Sequence, residues 1–195
     1  DASVQMQRKS KNSYFISDTL SQKISETKNS QGVFAVCKMK NENISLKTGQ
    51  KYIALDNLQD PGNLGTVIRT AEALGISSVI VGGGCDVFNP KVLRASMGSV
   101  LRLDVFECQS LAPVLQKAKS LGIKTYATSP DSSAKKINET QFPKSSLCVI
   151  GNEANGVSDE VMNICDETVT IPMLGRAESL NAHVAGAIVM WEMLR

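Results

Sequence analysis

The sequence predicts an α/β fold with a mostly parallel sheet covered by helices on both faces. From Lys51 onward, short apolar runs alternate six times with segments of helical spacing. Glycine, proline or small amide residues close several of those runs, where backbone can approach a ligand closely. At 195 residues the chain suits one α/β domain with an appendage.

Tyr52–Leu55 reads as the first strand of the regular part. Asn63–Gly75 follows as a helix, with Leu64, Val67, Ile68, Ala71 and Leu74 at helical spacing and Gly75 as its stop. Ser78–Val81 is the next strand. Asn89 and Pro90 give an N-cap and a first-turn proline for a helix reaching about Met97. Val100–Phe106 is a strand, and Ser110 caps a helix that ends at Gly122. Lys124–Ala127 is a strand, with a short helix expected near 133–140. Leu147–Ile150 is a strand, Ser158–Cys165 a short helix opening on acidic residues, and Thr168–Ile171 the last strand. Ser179 caps the closing helix to Leu194, which is apolar around much of its surface and so expected to be buried, against its own sheet or a second subunit.

Residues 1–48 differ from the rest. They are polar and irregular, with one expected strand at Gly32–Cys37. They hold eight Lys/Arg against four Asp/Glu, a net +4, while 49–195 hold thirteen against fifteen, a net −2. A basic appendage beside a near-neutral domain is compatible with nucleic-acid contact, and equally with a solvated basic face. The chain opens on Asp1 rather than Met, which suggests a fragment lacking part of its N-terminal module. Five widely spaced cysteines without a CxxC pair argue against a zinc site or a disulfide framework, and for a reducing, cytoplasmic setting. No signal peptide or long apolar span is visible, so no membrane is expected.

Three segments fall at strand ends, where open α/β sheets bind ligands. The first, Asn57-Leu-Gln-Asp-Pro-Gly-Asn-Leu-Gly65, runs into Arg69. Asn63 suits a helix N-cap, and Arg69 suits a surface pair with Glu72 at i+3, so both have structural readings beside functional ones. The second, Gly151-Asn-Glu-Ala-Asn-Gly156, brackets Glu153 between glycines, either as a ligand loop or as a plain turn. The third is Ile171-Pro-Met173 with Ser179-Leu-Asn181. Three such loops in one chain suggest one composite site.

In this order the segments resemble the three motifs of the SpoU (TrmH) branch of SPOUT methyltransferases: N-x-x-D-P-x-N-x-G-x-x-x-R, then G-N-E-x-x-G, then I-P-M-x-G-x-x-x-S-L-N. The likeness spans about Lys51 to Arg195. Thr128-Ser129 resembles the family's Ala-Thr-Ser turn, and Ser30–Val36 resembles the end of an L30e-like RNA-binding module. The resemblance implies a C-terminal trefoil knot, an exception to the rule against knots. Domains would be 1–48, a partial L30e-like module and linker, and 49–195, the methyltransferase. The implied activity is transfer of methyl from S-adenosyl-L-methionine to a ribose 2′-hydroxyl in tRNA or rRNA, by a homodimer paired through the C-terminal helix and knot region.

By the same resemblance, Thr128, Ser129, Gly151, Asn152, Glu153, Gly156, Ile171, Pro172, Met173, Ser179 and Leu180 would bind the cofactor. Arg69, Asn63, Glu153, Ser179 and Asn181 would be catalytic, with no metal. Arginine is a poor base, having a pKa above about 12 and five donors. Arg69 is therefore expected to grip the target phosphate and stabilise the developing alkoxide. The sequence departs from the family at Ala182-His183. That single histidine is open to two readings: a base, or a helix or subunit-interface residue. Rival readings are a non-catalytic RNA-binding relative, a base-methylating SPOUT enzyme, and a nicotinamide-binding Rossmann protein suggested by Gly82-Gly-Gly84. The last lacks a helix directly after its glycines.

Overall fold

Parallel pairing organises the larger of two units in this computed structural model, which describes residues 11–25, 27, 29–38 and 43–195. The strands are β1 (Lys51–Asp56), β2 (Ser78–Gly82), β3 (Asp104–Cys108), β4 (Lys124–Thr128), β5 (Lys135–Lys136), β6 (Ser146–Ile150) and β7 (Glu167–Thr170). They form one sheet in the order β3-β2-β1-β6-β4-β7-β5, and every pair is parallel. The carboxyl ends of β1, β6, β4 and β7 are thus neighbours, and the loops that leave them meet.

Alternation along the central strand assigns the two faces. Ile53 and Leu55 of β1 face one core, shared with α2 (Pro61–Leu74), α3 (Pro90–Ala95) and α6 (Ala182–Leu194). Tyr52 and Ala54 face the other, shared with α4 (Ala112–Ser120) and α5 (Asp159–Ile164). Helices cover both faces, as the alternation of elements predicts. Ile44 and Leu46 pack on the second core, and the Tyr52 hydroxyl accepts the Lys47 N–H at 2.7 Å. The stretch just before β1 is therefore docked on this unit.

Several helix starts differ from expectation. Asp60, not Asn63, caps α2: its carboxylate accepts the Asn63 N–H at 2.8 Å, and Pro61 opens the first turn. Both residues are good caps, and the proline selects the earlier one. This frees the Asn63 side chain. Asn181, not Ser179, caps α6, its Oδ1 accepting the His183 N–H at 2.9 Å. Asn89 and Pro90 cap α3 as expected.

Two strand expectations shift. The segment from Val100 begins as a 3-10 turn at Ser99–Leu101, because Gly98 is left-handed (φ 84°) and its carbonyl takes the Leu101 N–H; β3 starts only at Asp104. The helix expected near 133–140 is the two-residue β5 followed by a 3-10 turn at Ile137–Glu139.

The smaller unit spans Asp1–Asn41. Its described helix, α1 (Asp18–Ile24), starts at Ser17, whose hydroxyl accepts the Leu20 N–H, and it buries no residue. The strand expected at Gly32–Cys37 does not form. Nothing among the described residues offers it a ladder, and a strand cannot satisfy its backbone groups alone. Val36 is fully exposed there.

Candidate functional site

The loop after β6 is built on itself. Asn152 and Gly156 exchange both backbone hydrogen bonds (2.9 and 3.0 Å), and Asn152 Oδ1 accepts the N–H groups of Ala154 and Asn155. A Cβ at Gly151 would lie 2.0 Å from the Gly156 carbonyl carbon, so only glycine fits. Asn152 Nδ2 also donates to the Asn57 carbonyl at 2.8 Å, tying this loop to the one after β1. Asn57 is itself left-handed (φ 55°), a conformation asparagine tolerates better than most residues.

Glu153 makes the second tie. Its carboxylate accepts the backbone N–H groups of Gln59 and Asp60 at 3.3 Å each, and the Asn63 amide at 2.9 Å. Burial raises the affinity of this carboxyl for a proton, but the amide of Asn63 and the backbone donors together outweigh it. They hold Glu153 below its ordinary pKa, and so ionised. The other end of the Asn63 amide, Oδ1, lies 3.0 Å from His183 Nδ1 on α6. One buried asparagine thus joins the first segment to the second and to the closing helix.

The loop after β4 is fixed from within the sheet. Thr128 Oγ1 donates to the Val149 carbonyl at 3.0 Å, and the Ser129 N–H donates to the Val169 carbonyl at 2.9 Å. The loop after β7 is different. From Met173 to Leu180 no backbone group has a backbone partner among the described residues.

These loops enclose a cleft of about 390 Å³, within the size range of small-molecule sites. Of the residues expected to bind a cofactor, Thr128, Ser129, Gly151, Asn152, Glu153 and Gly156 line it, and so do Ile171, Met173, Ser179 and Leu180. Pro172 does not. Of the residues expected to be catalytic, Glu153 and Ser179 line the cleft, Asn63 is joined to it through Glu153, and Asn181 is spent on the helix cap. Ile150, Val157, Ala182 and Ala185 add apolar wall that no motif signalled.

Arg69 stands apart. It is exposed and has no hydrogen bond or ion pair among the described residues. The expected pair with Glu72 is not made, because Glu72 is already held by Arg102 (Nε at 2.9 Å, Nη2 at 3.1 Å) and by the Ser99 hydroxyl at 3.0 Å. Gly82 and Gly84 serve packing: a Cβ at Gly82 would lie 2.5 Å from Leu111 Cγ, and one at Gly84 2.3 Å from the Leu58 carbonyl oxygen. No group of three His, Cys, Asp or Glu side chains gathers to hold a metal among the described residues.

The cleft suits an adenosyl cofactor. Aliphatic side chains would sandwich a flat heterocycle, unpartnered backbone from Met173 to Leu180 would satisfy its edge, and the ionised Glu153 favours cationic groups. The family described as SpoU rRNA Methylase matches residues 50–191. The chain belongs to the SpoU rRNA methylase family. Its relatives include the Bacillus subtilis 23S rRNA (guanosine(2553)-2′-O)-methyltransferase RlmP, 36% identical over 181 residues, 92% of this chain and 71% of that protein. A Streptomyces viridochromogenes 23S rRNA (uridine(2479)-2′-O)-methyltransferase is 34% identical over 148 residues, 73% of this chain and 52% of that protein.

Solved structures of SpoU enzymes share the fold. The SpoU methyltransferase AviRb from Streptomyces viridochromogenes, in complex with the cofactor AdoMet, matches with a TM-score of 0.69 at 33% identity, covering 76% of this chain and 61% of that one. An RNA 2′-O ribose methyltransferase matches with a TM-score of 0.78 at 30% identity, covering 91% of this chain and 69% of that one. The chain spans between about half and seven-tenths of the length of these relatives.

Proposed function

We propose that this SpoU-family chain transfers a methyl group from S-adenosyl-L-methionine to a ribose 2′-hydroxyl of tRNA or rRNA. The observation that carries the reading is the Glu153–Asn63 tie at the edge of the cleft. It ties the loop after β6, which lines the cleft, to the start of the helix that bears Arg69, and so supports the reading. The cofactor, when bound, supplies an electrophilic methyl on a sulfonium, a leaving group that needs no covalent intermediate.

The chain's residues then have positional work. Backbone near Gly151, Ile171 and Leu180 holds the adenosyl portion, and Thr128, Ser129 and Met173 bound it. Arg69 grips the target phosphate and stabilises charge growing on the 2′-oxygen. Its exposure, and the absence of a partner for it among the described residues, support that role. Asn63, Glu153, Ser179 and Asn181 fix the geometry. Alignment of attacking oxygen and methyl can supply roughly 7–11 kcal/mol of the barrier.

Four finer readings accompany this one. The region from β4 to α6 forms a trefoil knot; its support is the sheet order, in which β6 inserts between β1 and β4, and β7 between β4 and β5. The working unit is a homodimer paired through α6; Val184 and Leu194 are exposed on that helix, and Trp191 is 60% exposed. Residues 1–48 are part of an L30e-like RNA-binding module, a reading supported by their net basic charge. The setting is cytoplasmic: all five cysteines are free, and among the described residues no helix is long and apolar enough to cross a membrane.

Calorimetry with S-adenosylhomocysteine and transfer of labelled methyl to total RNA from a strain lacking this gene test the proposal. Binding is expected, with label in alkali-resistant dinucleotides, since a 2′-O-methyl blocks hydrolysis of the next phosphodiester. No uptake at millimolar ligand, or label only in alkali-labile mononucleotides, would overturn it.

A further inference from the structure

The Glu153–Asn63–His183 line fixes where a proton sits. The Glu153 carboxylate is ionised and can only accept hydrogen bonds, so the amide nitrogen of Asn63, 2.9 Å away, is the end that faces it. The amide oxygen therefore faces His183 Nδ1 at 3.0 Å. An amide oxygen also only accepts. Nδ1 must carry a hydrogen, and the neutral ring must keep its lone pair on Nε2, on the edge turned away from Asn63.

The ring is also held from below, because the His183 N–H donates to Asn181 Oδ1 at 2.9 Å in the first turn of α6. His183 is partly exposed and stands just outside the cleft lining, between Ala182 and Ala185, which belong to it. The chain thus has a half-buried imidazole next to the edge of the cleft, oriented by a carboxylate acting through an amide, and its Nε2 has no hydrogen-bond partner among the described residues. Neither arginine nor an amide provides such an acceptor.

We propose that His183 is the proton acceptor for the attacking ribose 2′-hydroxyl, working from Nε2. The inference rests on the methyl-transfer reading above. As the 2′-oxygen bonds to the methyl carbon, the O–H bond breaks and its proton moves to Nε2. The electron pair of the broken S–CH₃ bond stays on sulfur, giving the thioether. The imidazolium so formed donates through Nδ1 to Asn63, whose amide passes the stabilisation from Glu153, and it returns its proton to water between turnovers.

Elements packed on α6 bring few other charges toward this ring. α2 carries Arg69 and Glu72, the latter held by Arg102. The 3-10 turn at Ile137–Glu139 carries Glu139, paired with Lys136, and β6 carries Cys148, whose thiol burial pushes up and keeps neutral. Among the described residues, Glu153 is the charged group tied to His183, through Asn63.

The chain's single histidine makes the test direct. ¹⁵N-labelled histidine in the full chain should report the Nδ1–H tautomer at neutral pH, and Asn63→Leu should abolish that preference. Wild type in the Nε2–H form would overturn the proposal whatever the activity. In methyl transfer to the total RNA used above, His183→Asn keeps a donor at the Nδ1 position but has no base. It should lower kcat by about 10²-fold or more and leave S-adenosylhomocysteine affinity unchanged. Wild-type kcat in His183→Asn would defeat the proposal while leaving methyl transfer standing. An inactive wild-type chain would instead sink the methyl-transfer reading, and the proton acceptor with it.

Discussion

Asn63 and Arg69 sit on the same helix, and the protein treats them in opposite ways. Asn63 is 8% exposed, with its amide committed to Glu153 and His183 and its N–H to Asp60. Arg69 is exposed, and its five donors have no partner among the described residues. The first is a joint between loops that must not move relative to one another. The second, exposed and without a partner among the described residues, fits the phosphate grip proposed above. Buried, fully partnered polar groups rigidify a site, while an unpartnered guanidinium is suited to a planar anion such as phosphate.

The sharpest way to test this contrast is Arg69→Ala. Methyl transfer should fall by about 10²–10³-fold, the cost of removing one donor from a site of developing charge. The thermal midpoint and S-adenosylhomocysteine affinity should stay at wild-type values, because Arg69 contributes nothing to packing or to the cleft lining. A change in melting temperature comparable to that of a core variant would show that Arg69 is structural after all.

Asn63→Leu should show the opposite balance. It removes one donor from Glu153 and the acceptor from His183 Nδ1, leaving partly buried polar groups unpaired. Such a loss costs about 1–3 kcal/mol, measurable by urea unfolding. Cofactor affinity should fall as well, since the loop holding Glu153 lines the cleft. If stability is unaffected while transfer is lost, Asn63 touches substrate rather than bracing the site.

These two roles were unequally legible in the sequence. The alternation of apolar runs and helical spacing pointed to the layered α/β fold, and the segments marked after β6 and β7 line the cleft, while the one after β1 lies outside it and is joined through Glu153. Both are local properties. The Asn63–His183 contact joins residues 120 apart in the chain, so no local pattern encodes it. Asp60 and Asn63 are both good caps, and only Pro61 beside Asp60 marks which one starts the helix. Pro172 matched a motif yet lies off the cleft, because a motif marks a segment while alternation within it decides which side chains turn inward. Arg69 and Glu72 have the spacing of a helix pair, but Arg102 and Ser99 arrive from a distant turn to claim Glu72.

Acid stability offers a smaller effect of the same joint. The carboxyl of Glu153 is depressed in the folded protein, with hydrogen bonds from Asn63 and the Gln59 and Asp60 backbone overcoming burial. A depressed folded pKa means its contribution is present above the unfolded value of about 4.3 and is lost as pH falls through the folded value. Glu153→Gln should therefore lower the thermal midpoint at neutral pH, and the gap from wild type should close as pH drops below about 4. A constant gap across that range would mean the ionised form adds nothing.

The smallest expected effect tests why Arg69 is free. Glu72 lies at i+3 from Arg69, the spacing of a helix ion pair, but Arg102 and Ser99 occupy its oxygens, and their hydrogen bonds, Arg102 first, hold its carboxyl below the ordinary value. Arg102 is far from the cleft lining and its pair with Glu72 is solvent-exposed, so Arg102→Ala should move the melting temperature by less than about 3 °C. It should nonetheless reduce methyl transfer by roughly two- to five-fold, because Glu72 can then capture Arg69, and an exposed helix pair competes with substrate only weakly. The double variant Arg102→Ala with Glu72→Gln should recover the lost rate, since the competing carboxylate is gone. Failure of that recovery would mean Arg102 meets RNA itself, and that the freedom of Arg69 does not depend on who holds Glu72.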